Sequence, residues 1–479
     1  MTISNNEPAR AQDTASALLG MDGVAVTEAE RGAGGRLTVW ARVTLPAVCP
    51  GCGTVSGKVH QYVTARPRDV RACGQDVDLC LVKRRMRCAE AACPRRTFTE
   101  WVPQVPPRCV ITRRLLEHAA AEVTDRGLTP AEAGRDAGIS WPSVHGAFTQ
   151  AADQVLDDSP APVAHLGIDE HRRGRPRWRT DDLTGEYVQL ADRWHVCFYD
   201  LDGQQGMLGQ VEGRTADDTA YWLAGATPAW RGAVQVVAID MCAIFLSAVR
   251  RMLPGARVAA DLFHVVQLAV KTVGDVRRRA VREKYGRRGK AGDPEYGIKH
   301  LLERNLENLS PEQLAKIIDT LDASAEGQQI AITWIAKEKL RDALKLRARV
   351  TGSTPCERQV RDRLFTFSDW CAAHQDIPEL VTLANTISRW ENQIVTAVLT
   401  GVTNARSESL NRIAKLEARH AYGFRNPANQ RRRVRIACTR GTRRPSARTA
   451  STTRGVTKRK HYHGYQGETR FLEAALFQE

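Results

Sequence analysis

Val163-Ala164-His165-Leu166-Gly167-Ile168-Asp169-Glu170 is an apolar run that closes on two acids. The pattern returns at Val234-Gln235-Val236-Val237-Ala238-Ile239-Asp240. It returns again at Ala256-Arg257-Val258-Ala259-Ala260-Asp261, which Leu262-Phe263-His264 follow. Short apolar runs of this kind read as buried strands. A carboxylate at the end of a buried strand stands at a sheet edge, where a cation can sit. Between these runs lie strand candidates at residues 195–199 and 207–210 and a helix at about 216–224. The order strand, strand, strand, helix, strand, helix, strand predicts an α/β domain with an antiparallel meander first and parallel strands after it.

Working outward, 479 residues allow two to four domains, and 42% apolar residues suffice for several cores. Seventy Lys and Arg against 54 Asp and Glu leave a net charge of +16, which suits a polyanionic partner, nucleic acid before an anionic membrane surface. No apolar run approaches the ~18–20 residues that span a bilayer, and the first twenty residues lack the form of a secretory signal. The expectation is a soluble, cytoplasmic protein without a membrane partner. In that setting the twelve cysteines read as thiols or metal ligands rather than disulfides. Twelve Arg or Lys and no acid fall between Arg431 and Lys460. That stretch reads as a basic, disordered tail able to touch phosphates without sequence preference.

Residues 24–43 read as a hairpin and residues 68–87 as further strands. Cys49-Pro50-Gly51-Cys52-Gly53 is a tight two-cysteine turn, and Cys88 and Cys93 form a second pair. Two such turns can present four sulfurs to one tetrahedral zinc, with Cys49, Cys52, Cys88 and Cys93 as ligands. Cys73 and Cys80, between the pairs, read as packing residues. Arg84, Arg85, Arg87, Arg95 and Arg96 around the second pair would turn the module toward phosphate. Ile111, Leu115, Ala119 and Val123 make a helical stripe ending near Gly127. Thr129-Pro130-Ala131-Glu132 starts a short helix that closes at Gly138, and Ser140 starts a third. That layout is a helix-turn-helix, with Ser143 and His145 as the third helix's candidates for DNA contact.

A two-ion site needs a third acid beside Asp169 and Asp240. The best candidate is Glu408 in Thr403-Asn404-Ala405-Arg406-Ser407-Glu408-Ser409-Leu410-Asn411-Arg412-Ile413-Ala414-Lys415. There Leu410, Ile413, Ala414 and Ala421 are expected on the buried face, and Glu408 away from it beside Asn404, Asn411, Arg412 and Lys415. Residues 296–400 read as mostly helical. Trp390 within them is open to two readings, a base-stacking residue or a core residue.

Taken in order, these motifs resemble one family, the ISL-three family of insertion-sequence transposases, which are DDE transposases. The likeness runs from about residue 18 to 429. It is carried by the Cys49–Gly53 turn, residues 84–100 (RRMRCAEAACPRRTFTE), Gly167–Glu170, Ala238–Met241, Asp261–Val266, Thr403–Lys415 and Arg419–Asn426. The strand order is that of a ribonuclease-H-like domain. The resemblance implies a catalytic triad of Asp169, Asp240 and Glu408 holding two Mg²⁺ or Mn²⁺, with Asp261, His264, Asn411 and Lys415 near the site. It implies one structural zinc, double-stranded DNA as partner, Arg412 and Arg419 among the DNA contacts, and a homodimer on DNA in the bacterial nucleoid.

The implied organisation is multidomain. Residues 1–105 form a zinc-binding β module, 106–157 the helix-turn-helix and 163–270 the first part of the α/β catalytic core. An all-helical insertion follows at 271–400, the glutamate helix at 401–430 and a basic tail at 431–479. The implied reaction cuts the element's ends at terminal inverted repeats and joins the freed 3′-hydroxyls to target DNA. Two alternatives compete with it. One is a domesticated, non-catalytic zinc and helix-turn-helix regulator, against which the three acids argue. The other is a metal nuclease of the same fold, against which the long helical span argues.

Overall fold

The computed structural model describes residues 14–443, apart from 33–34, 73, 157–158, 173, 192 and 204, together with residues 470–476. The chain divides once into compact units, between residues 157 and 158. The two cysteine pairs and the three helices that follow them fall within the first of these units.

The first unit begins with α1 (Thr14–Leu19) and a sheet of β1 (Val24–Arg31), β2 (Leu37–Val43), β3 (Val59–Ala65), β4 (Val77–Arg87) and β5 (Thr97–Thr99). The order is β1-β2-β4-β3, with β5 also paired to β4. β1 and β2 pair antiparallel, as the hairpin reading predicts. Alternate residues Val77, Leu79 and Leu81 of β4 are buried against Val39, Ala41 and Val43 of β2, the period-two pattern of a half-covered sheet. Cys80 is buried in β4, and Cys73 lies outside the described residues. The described residues of 68–76 contribute isolated bridges.

Three helices follow: α2 (Arg113–Ala121), α3 (Pro130–Ala137) and α4 (Trp141–Val155). Thr112 caps α2, and five further residues wind on to Gly127, whose φ of 86° reverses the chain. Thr129 and Glu132 form the predicted capping box, Gly138 closes α3, and Ser140 caps α4. Leu115, Ala119, Val123, Val144 and Phe148 are buried, so the helical stripe is the packing face.

The second unit is built on β6 (His165–Arg172), β9 (Trp194–Asp200), β10 (Met207–Glu212), β11 (Val236–Ile239) and β12 (Arg257–Ala260), in the order β10-β9-β6-β11-β12. β6, β9 and β10 are antiparallel neighbours, and β11 runs parallel to β6 and β12. The meander-then-parallel expectation holds. An unforeseen hairpin, β7 (Arg177–Thr180) with β8 (Tyr187–Ala191), interrupts it between β6 and β9. Between β10 and β12 the helices are α5 (Ala216–Gly225), α6 (Pro228–Ala233) and α7 (Ala243–Met252).

The helical part comprises α8 (Leu262–Tyr285), α9 (Pro294–Gly297), α10 (Lys299–Leu302), α11 (Pro311–Asp322), α12 (Ala325–Lys345), α13 (Ala348–Thr351), α14 (Glu357–Ala373), α15 (Pro378–Arg389) and α16 (Glu391–Thr400). A boundary at residue 271 would cut α8, which runs unbroken for 24 residues. Its apolar positions join one core with the sheet and with Trp334, Phe367 and Ile394. Trp390 is a core residue, 8% exposed, so the stacking reading fails.

α17 (Ala405–His420) and α18 (Pro427–Arg443) close the unit, and α19 (Arg470–Leu476) packs on α11 and α12. α18 corrects the tail expectation. Val434 and Cys438, four residues apart, pack against Tyr199 and Met207, while Arg433 pairs with buried Glu417 at 2.8 Å. Charge density masked that spacing in the sequence. Residues 444–469 lie outside the described residues.

Candidate active site and metal centre

In the first unit, the cysteine turns sit at the end of the sheet. The amide of Gly53 donates to Cys49 O at 2.8 Å, and the left-handed φ of 75° at Gly53 lets the chain fold back. Cys93 N donates to Glu90 O at 3.3 Å in the second turn. The four sulfurs, one from each of Cys49, Cys52, Cys88 and Cys93, lie within 4.8 Å of one another. Cys49 to Cys93 is 4.0 Å and Cys52 to Cys88 is 3.5 Å. Zinc bonded to four tetrahedral sulfurs at about 2.3 Å sets them about 3.8 Å apart, so this donor set fits the ion. Hydrogen bonds from Thr54 bring the Cys52 thiol down to about 6, the direction that favours a thiolate ligand.

Arginines near this module divide by environment. Arg84 gives Nε to the buried Glu100 at 2.8 Å, and Arg85 reaches Thr97 at 3.0 Å. Arg95 and Arg96 are exposed. On α4, Ser143 bonds to the capping Ser140 at 2.9 Å, and half-buried His145 lies 4.6 Å from the Trp141 ring.

In the second unit, the parallel register pairs Ala238 with Gly167 and Ile239 with Ala260. Continuing it brings Asp169, Asp240 and Asp261 to the same edge. Asp261 then caps α8, accepting from Phe263 N at 3.2 Å. That turn aims His264 back, with Nε2 at 3.2 Å from Asp240 and 3.9 Å from Asp261. Asp240, Asp261 and His264 thus bring their ligand atoms within 4.8 Å of one another. Asp261 and His264, expected near the site, lie against Asp240 itself. Burial, and then the Asp240 charge, push Asp169 up to about 7. Burial also raises Asp240 and Asp261, and the Glu408 charge adds to both. The carboxylates therefore share one field, which hard cations with oxygen ligands would relieve.

α17 and the residue that caps it supply two amides to this field. Asn404 Nδ2 reaches Asp240 Oδ1 at 3.3 Å and Ile168 O at 3.4 Å. Asn411 Nδ2 donates to Asp169 Oδ2, while its Oδ1 accepts from the hydroxyl of buried Tyr199. Asn404 and Asn411 are 2% and 3% exposed, which corrects their expected place beside Glu408 on the outer side. Glu408 itself is half-buried and paired with Arg412 at 2.9 Å. Lys415 and Arg419 are also exposed.

Sequence reading missed Tyr199, Asn404 as a buried clamp, and the reason for Gly167. A Cβ at Gly167 would stand 2.2 Å from Ser407 Oγ and 3.2 Å from Asn404 Oδ1. A glycine within branched residues was the available signal, because it marks a close approach by another segment.

Comparison with known proteins fits this geometry. A family model described as "Transposase", of the DDE and ISL3 type, matches residues 166–434. A second, described as "zinc-finger of transposase IS204/IS1001/IS1096/IS1165", matches residues 45–93. The chain belongs to the ISL3 family of transposases. It is 23% identical over 399 residues to the transposase for insertion sequence element IS1001 of Bordetella parapertussis, covering 82% of this chain and 89% of that one. No helix among the described residues is long and apolar enough to cross a membrane.

Proposed function

We propose that the protein is a DDE transposase of a bacterial insertion sequence, cutting DNA at its element's ends and joining the 3′-hydroxyls to target DNA. The single observation that carries this is the convergence of Asp169, Asp240 and Asp261 on one sheet edge, with Glu408 acting on the same field. The strand order β10-β9-β6-β11-β12 supports a ribonuclease-H-like core, and the helices between Asp261 and Glu408 an insertion within it.

In this reading Asp169, Asp240 and Glu408 hold two divalent ions such as Mg²⁺, and it is supported by the ligand atoms of Asp240, Asp261 and His264, which lie within 4.8 Å of one another. Bound there, the ions would neutralise charge on the attacking and leaving oxygens of phosphodiester exchange. The chain's own residues fix the geometry. Asn411 and Asn404 hold two carboxylates in place, and Asp261 anchors the helix that presents His264. Glu408, half-buried on α17 and paired with Arg412 at 2.9 Å, is the remaining acid of the set. The zinc module and the helix-turn-helix are assigned to binding the terminal repeats, and a homodimer would hold the two ends.

The test is Mg²⁺-dependent cleavage of a duplex carrying the element's terminal repeat. Asp169→Asn, Asp240→Asn and Glu408→Gln each keep shape but remove charge. Each should abolish cleavage while end binding persists, and double variants should be no worse than singles. Activity in Glu408→Gln with loss in Asp261→Asn would reassign the third ligand to Asp261. Cleavage surviving all three changes would reject the DDE reading.

A further inference from the structure

The hairpin between β6 and β9 has no part in the acid site as described, and its surface is unusual. β7 and β8 pair only with each other, as a two-stranded sheet apart from the five-stranded one. A hairpin of this size has little core of its own, yet it carries two aromatic rings in the open. Trp178 is 45% exposed and Tyr187 69%. Their rings stack with centroids 5.5 Å apart and planes within 4°. Thr180 pairs with Tyr187 and Trp178 with Gln189, so the two rings are diagonal neighbours on one face.

The opposite face of β7 carries Arg177 and Arg179, and Arg175 precedes them on the approach; all three are exposed. Among the described residues they form no ion pair with an acid. Burying unpaired guanidinium groups against an apolar partner is costly, whereas phosphates would satisfy them bidentately. A two-stranded ribbon is one of the shapes that a DNA major groove admits.

We propose that this hairpin is a DNA-engaging arm, with Arg175, Arg177 and Arg179 on phosphates and the Trp178–Tyr187 pair against the duplex. Resting on the function proposed above, the arm engages the duplex being cut. Arg177 follows Asp169 by eight residues, at most about 28 Å of extended chain, less than one helical turn of B-DNA. Phosphate contact by three arginines predicts a defined salt response. Each neutralised phosphate adds about 0.9 to the slope of log affinity against log salt.

The experiment uses the full-length, zinc-loaded chain without Mg²⁺ and an arbitrary-sequence duplex of about 40 base pairs, roughly four turns. The variant Arg175→Ala/Arg177→Ala/Arg179→Ala should lower the magnitude of the slope by about 2.7, with sedimentation unchanged. Independently, a photo-crosslinking residue placed at position 178 should label DNA. The inference is overturned by an unchanged slope. It is also overturned if the variant alters the oligomer, which would make the arm a self-association element. Should the triple variant fail to fold, crosslinking decides, and a label on protein alone rejects the arm. Because neither readout needs cleavage, a failed arm leaves the catalytic reading standing, and cleavage by Asp169→Asn leaves the arm standing.

Discussion

Removing zinc should unfold the two cysteine turns and leave the rest of the first unit intact. The core beneath the turns is small: Ala47, Cys49, Met86, Cys93 and Phe98. Burying the two large side chains, Met86 and Phe98, returns about 1.5–3 kcal/mol each. Backbone ordering costs about 1–2 kcal/mol per residue, so these two contacts cannot hold even ten residues of turn. A structural zinc contributes about 10–16 kcal/mol and decides the balance. By contrast, β1, β2 and β4 rest on a separate core of ten buried residues, Met21 to Val105. Chelation, or Cys49→Ser, should therefore expose residues 47–56 and 88–96 to protease and to rapid amide exchange. Amides of Val39, Leu79 and Leu81 should stay protected. The assay is metal analysis of freshly reduced protein beside exchange read by mass spectrometry. Finding no zinc, or equal loss of protection in both regions, would refute the reasoning.

Three further outcomes are expected from the second unit. Asn411→Ala removes a hydrogen bond to a carboxylate and takes from the buried Tyr199 hydroxyl its Asn411 acceptor, costing about 3 kcal/mol in urea unfolding; adding Tyr199→Phe should recover part of it. Gly167→Ala drives a methyl into Ser407 and Leu201, and should abolish cleavage, displacing α17, while zinc content stays unchanged. The third concerns pH in the absence of divalent ions. Asp169 sits at about 7 in the fold, above its ordinary value, so the unfolded chain releases this proton first as pH rises. Stability should fall between about pH 4 and 7, on the order of 2–4 kcal/mol. Asp169→Asn should flatten the profile, and a wild-type profile that rises over this range would contradict the assignment.

Much of this was legible because the signals are local. Buried strands ending in Asp169, Asp240 and Asp261 announce themselves by composition, and Thr129 with Glu132 marks a helix start by spacing alone. What escaped reading depends on partners far away in sequence. Asn404 and Asn411 look like ordinary surface amides until β6 lies beneath them. Arg84 reads as a phosphate contact until Glu100 appears across the strand pair. Arg433 reads as tail charge until Glu417 receives it. The β7–β8 hairpin is hidden in the sequence because its arginines obscure the alternation of a four-residue strand.

The Asn411–Asp169 bond closes a loop of 242 residues, and this sets a schedule during synthesis. Long-range contacts form late, because their loop entropy must be met before they stabilise anything. Domains fold as they emerge, at about 5–20 residues per second. From the end of the first unit to Asn411, the ribosome needs roughly 13–50 s. For that interval a nascent chain has every residue of its zinc module but not yet the amides that hold Asp169 and Asp240. A chain interrupted before residue 404 would carry both of those aspartates and neither of their clamps.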